Sequence, residues 1–109
     1  MIGTQPEVAH FLENDLKTAL KLRPDNPNYL DSLGLVYSKK GKYASAVKVL
    51  EKSVKLLKVQ SKENAAIFGH LGDVYSKLGE KEKALAQWKK ALELDPGDQG
   101  YARKINQNR

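Results

Sequence analysis

A chain of 109 residues with 40% hydrophobic content and a formal charge of +6 is long enough to bury about two-thirds of the surface it would expose unfolded, so it can build a core without staples. It contains no cysteine, which excludes disulfide frameworks, thiolate catalysis and cysteine-ligated zinc. The opening "MIGTQPEVAHFLEND" has acids and no apolar run of signal-peptide length, and no later segment approaches the roughly 20 apolar residues of a membrane span, so the chain as given reads as soluble.

The first predicted element is a helix from about Pro6 to Leu22, with Val8, Phe11, Leu12, Leu16, Ala19 and Leu20 on its apolar arc and His10 on its polar side. Asn26 then offers a cap, and Pro27 suits the first position of a second helix. From Leu33 the stretch "LGLVYSKKGKYASAVKVLEKSVKLLK" spells an amphipathic helix, a break at Gly41, and another amphipathic helix. The pattern returns from Leu71 as "LGDVYSKLGEKEKALAQWKKALELDP". A constant offset carries Gly34 onto Gly72, Tyr37 onto Tyr75, Gly41 onto Gly79, Ala46 onto Ala84 and Leu50 onto Trp88.

Glycine inside a helix costs about 1 kcal/mol against alanine, so Gly34 and Gly72 mark places where a partner helix comes too near for a side chain. Ala46 and Ala84 supply small residues on the facing helix, while Tyr37, Tyr75, Leu50 and Trp88 fill the space between hairpins. The two units lie 38 residues apart, with surplus residues around "LLKVQSKEN", Leu56 to Asn64. Either the second helix is a turn longer, which Lys58 would allow, or the connecting loop is longer; Ser61 caps the next helix. Beyond Pro96, Asp98 caps a last helix that turns Tyr101, Ala102 and Ile105 to the core and Arg103, Lys104 and Asn106 to water. Near the start, "ALKLRPDNP" parallels "ALELDPGD", with Pro24 where Pro96 stands. The first helix therefore reads as the second half of a repeat whose first helix is absent.

These residues resemble the tetratricopeptide repeat (TPR), W-x-x-L-G-x-x-Y followed by A-x-x-x-F and P over 34 residues. Its positions fall on Leu30, Leu33, Gly34, Tyr37, Ala46, Leu50 and Ser53, and again on Phe68, Leu71, Gly72, Tyr75, Ala84, Trp88, Ala91 and Pro96. The resemblance implies an all-α, right-handed solenoid of helical hairpins forming one domain over residues 1–109. It would comprise a half-repeat helix at 6–23, repeats at 27–60 and 65–98, and a capping helix at 99–108.

The resemblance also implies a concave ligand groove lined by the first helix of each repeat. Its positions are Asn28, Asp31, Leu35, Ser38 and Lys39, then Ala66, Gly69, Asp73, Ser76 and Lys77, with His70 at the margin. Relatives that grip the C-terminal carboxylate of chaperones use lysine and asparagine there. The matching positions here hold Asp31, Leu35, Gly69 and Asp73, which suit a basic or small apolar side chain instead.

Lys48, Lys52 and Lys55 share one helical face opposite Leu50, Val54 and Leu57. Their plain role is a solvated surface; an acidic protein or an anionic membrane surface is the alternative, and nucleic acid is disfavoured because no aromatics stand among these cations. His70 and Asp73 are too few for a metal site. No base and orienting acid accompany a serine or threonine, and no glycine-rich phosphate loop occurs, so neither an enzyme nor a cofactor is expected. The expected function is a module that holds a protein or peptide segment, as part of a longer protein or assembly. The alternative is a self-associating element, a homodimer joined through Val8, Phe11, Leu12 and Leu16.

Overall fold

Two of the helix starts are fixed by side-chain caps. The computed structural model describes the backbone of residues 6–109 and side chains from residue 12 onward. Within that range lie helices α1 (Pro6–Leu22), α2 (Pro27–Lys39), α3 (Tyr43–Leu56), α4 (Ala65–Lys77), α5 (Lys81–Leu94) and α6 (Gln99–Gln107), one 3-10 turn, and no strand among the described residues. The sequence reads as one domain; the fold divides into two compact units, Met1–Leu56 and Leu57–Arg109.

In the first unit, Asn26 begins α2 by accepting the Tyr29 N–H at 3.0 Å through its Oδ1. Pro27 needs no such partner for its nitrogen. Helices α2 and α3 form an antiparallel hairpin around buried Leu30, Leu33, Val36, Ala46 and Leu50. A Cβ on Gly34 would fall 2.5 Å from Leu50 Cγ, so the close approach expected at this glycine is made by a large side chain. Ser53 is fully buried, and its hydroxyl donates to the Pro27 carbonyl at 2.7 Å, satisfying a polar atom that would otherwise penalise the core. The connection between the helices turns at Gly41, whose φ of 76° is left-handed and favours glycine.

The second unit repeats the design. Gly72 faces Trp88 and the Ala84 carbonyl, Ala84 and Ala91 are buried on α5, and Gly79 makes the turn at a φ of 77°. Asp98 caps α6 by accepting the Gly100 N–H at 2.8 Å, and α6 packs on α5 with Ile105 buried.

Of the two expectations for the surplus residues, the longer loop holds. Helix α3 has 14 residues, as α5 does, and stops at Leu56. Lys58 therefore does not extend a helix: beyond Leu57 the next positions on its buried stripe are Gln60 and Ser61, so further turns would bury little. The segment closes instead on a 3-10 turn at Lys62–Asn64, and Asn64 Nδ2 donates back to the Val59 carbonyl at 2.6 Å. Ser61 precedes this turn without making a side-chain capping bond to the backbone.

Candidate functional site

Helix α2 is committed to the core on one stripe and leaves another for contact. Leu30, Leu33, Gly34 and Val36 are buried, whereas Asn28 and Lys39 are exposed and Asp31, Leu35 and Ser38 half-buried. Leu35 and Lys39 do not simply join Asn28 and Asp31. Together with Ser32 and Val36 they form one wall of a groove of about 580 Å³, and Leu12, Asp15, Leu16 and Ala19 of α1 form the other. The sequence-expected ligand position Leu35 and the self-association positions Leu12 and Leu16 thus meet in one apolar groove. Val8 and Phe11 belong to the same expectation, but their side chains lie outside the described residues.

What holds α1 against α2 is a carboxylate that the sequence did not single out. Glu13 is buried, receives a hydrogen bond from Lys40 Nζ at 2.7 Å, and pairs with Lys17 Nζ at 2.8 Å. The bonds from Lys17 and Lys40 hold its carboxyl at about 2, against the opposing push of burial. The same partner pushes the Lys17 ammonium upward, with the Tyr37 ring 6.0 Å away as a second neighbour. Lys17 follows Glu13 by four residues, a readable helical spacing; Lys40 is distant in sequence, and nothing local announces it.

In the second unit, Ala66, Ser76 and Lys77 are exposed, and His70 and Asp73 are half-buried. Gly69 departs from expectation. It is buried, and a Cβ there would lie 2.6 Å from the Tyr101 ring, so the space above it is filled by α6 and offers no room to a ligand side chain. Asp73 is also engaged within the chain: its Oδ1 accepts from Trp88 Nε1 at 3.0 Å and from Lys104 Nζ at 2.8 Å. Lys104, expected to face water, is a tether for α6. Burial, then Asp98, Asp95 and Asp73, push the Tyr101 hydroxyl up.

Lys48, Lys52 and Lys55 are exposed along α3, with Lys52 4.0 Å from Asp25. Among the described residues, no three histidine, aspartate or glutamate side chains gather as a metal site would require.

The family model of the tetratricopeptide repeat matches residues 27–97, covering both hairpins. Several solved structures are similar. MamA is 26% identical, with a TM-score of 0.76 over 85% of this chain and 52% of MamA. A thermophilic TPR protein of Thermus thermophilus is 26% identical, with a TM-score of 0.77 over 94% of this chain and 50% of that one. The first TPR of Spaghetti, solved with the HSP90 peptide SRMEEVD, is 18% identical with a TM-score of 0.78 over 87% and 72%, a likeness of fold. The chain spans about half the length of MamA and of the Thermus protein, at 52% and 50%. Among curated proteins, none matches it.

Proposed function

The chain belongs to the tetratricopeptide repeat family, whose helical hairpins serve as protein-interaction modules, and from this premise we propose that it holds a segment of another protein on the exposed face of a hairpin's first helix, α2 or α4, without catalysis. The observation that carries the reading is the family match across both hairpins. The polar stripes support it: each first helix buries one side and exposes residues on another, Asn28 on α2 and Ala66 and Ser76 on α4, with Asp31 and His70 half-buried beside them.

The chemistry of these stripes narrows the ligand. Asp31 stands where a carboxylate-gripping relative would carry a donor, and an acid repels a chain terminus. A segment rich in lysine or arginine fits instead. Selection from a displayed library of random peptides tests this, with SRMEEVD as the comparison peptide. Basic peptides are expected to be enriched and to bind at least tenfold more weakly to Asp31→Lys, while SRMEEVD does not bind. Tight binding of SRMEEVD, or enriched peptides indifferent to Asp31→Lys and Asn28→Ala, would overturn the reading.

The self-association alternative is supported by the apolar character of Leu12 and Leu16 and makes a separate statement about mass. A dimer by light scattering that Leu16→Asp converts to a monomer favours it; a concentration-independent monomer rules it out. Lys48, Lys52 and Lys55 support at most a weak contact with an anionic surface, and vesicle binding that ignores salt would exclude that contact.

A further inference from the structure

The groove between α1 and α2 has a counterpart in each hairpin, and there it is filled. At spacings of 34 and 72 residues, Leu12, Leu16 and Ala19 stand in register with Ala46, Leu50 and Ser53, and with Ala84, Trp88 and Ala91. These counterparts are at most 3% exposed, because the first helix of each hairpin lies over them with its glycine against the largest residue, Gly34 on Leu50 and Gly72 on Trp88. On α1 no described residue lies over the stripe: Leu12 is 45% exposed, and Leu16 and Ala19 are half-buried.

We propose that this groove is a docking site for an amphipathic helix of another polypeptide, one that presents glycine or alanine to Leu16 and an aromatic residue one turn further on. The stripe from Leu12 to Ala19 is roughly 11 Å long at 1.5 Å per residue, so a helix of two to three turns covers it. Charge at the rim selects among such helices. Asp15 on one wall and Lys39 on the other line the groove, and neither forms an ion pair among the described residues. A complementary helix therefore carries a cation opposite Asp15 and an acid opposite Lys39. A second copy of this chain is a poor occupant, because both of its L-G-x-x-Y helices are already buried in their own hairpins. The site uses neither Asn28 nor Asp31, so it stands or falls independently of the peptide-binding face of α2 or α4.

The probe is a helix-stabilised, fluorescent peptide copying residues 65–77, AAIFGHLGDVYSK, its helicity checked by circular dichroism. Saturable binding to the full chain is expected by anisotropy. It should weaken at least tenfold on Leu12→Asp, which changes a half-exposed residue and should leave helicity and melting intact, and equally when leucine replaces the glycine at position 72 within the peptide. Leu35→Ala in the opposite wall is the second variant, expected to weaken binding as well, while Asp31→Lys leaves it unchanged. Failure of the helical peptide to bind, or binding indifferent to these substitutions, overturns the proposal. So does a dimer formed without peptide and dissociated by Leu12→Asp, which would assign the groove to a second copy.

Discussion

Leu50 fills the space that a side chain on Gly34 would need: its Cγ lies 2.5 Å from where a Cβ would stand, and Leu50 is fully buried. Alanine at 34 gains up to about 1 kcal/mol of helix propensity but overpacks a contact that cannot yield, at a cost of roughly 1–3 kcal/mol. Gly34→Ala is expected to destabilise, and Leu50→Ala to cost roughly 2–5 kcal/mol. Combined, they should cost less than their sum, since the added methyl enters the cavity. Urea unfolding of the two single variants and the double variant measures this coupling; strict additivity would contradict the contact.

Acid should loosen α1. Glu13 sits at about 2, below its ordinary 4.5, so its clamp on Lys17 and Lys40 is fully in place above pH 4.5 and is lost as pH falls through that window towards 2. Unfolding curves recorded from neutral pH downward should show the loss, and Glu13→Gln should flatten this part of the profile. An unchanged profile would mean the clamp contributes nothing.

The fastening of α6 can be divided by substitution. Asp73→Ala strands the buried Trp88 indole and removes the Lys104 tether, for an expected loss of about 1–2 kcal/mol. Lys104→Ala removes only an ion pair whose side chains are both nearly half exposed, worth less than about 1 kcal/mol. Salt should mimic the second change but not the first. Hydrogen exchange at the amides of α6 reports both.

Alkali should act on the same helix. The Tyr101 hydroxyl is pushed up by burial and by Asp98, Asp95 and Asp73, so its contribution to stability is complete below pH 10 and fades as pH rises beyond it. Tyr101→Phe is expected to remove this alkaline loss, which a pH series of thermal melts would reveal.

Features that depend on neighbouring residues are legible in the sequence alone. Asn26 and Asp98 announce their caps by position, Gly41 and Gly79 their turns by repetition, and the pairing of Gly34 with a close neighbour follows from a helix accepting a costly residue. Features that depend on distant residues are not. Glu13 meets Lys40 only because α1 packs on α2, and Gly69 lies under Tyr101 only because α6 returns to its hairpin. The sequence-expected ligand stripe was therefore too generous in the second unit, where the chain already occupies Gly69 and engages Asp73. The end of α3 remained open between two alternatives because Leu57 is apolar while Gln60 and Ser61 are not, and only the total burial on offer decides between them.

Gly41 and Gly79 differ from the glycines of the hairpin contacts in what they demand. Nothing lies within 4 Å of a Cβ at either turn, so the constraint there is one of chirality alone. D-alanine, whose preferred conformations mirror those of its L form, meets that constraint and stiffens the unfolded chain, a gain of about 0.4–1 kcal/mol by analogy with glycine replacement at compatible sites. A semisynthetic protein with D-alanine at both turns should melt higher than the parent, whereas L-alanine at the same two positions should lower the melting temperature. In these turns, evolution settled on an achiral residue where the other hand was wanted and the ribosome does not ordinarily supply it.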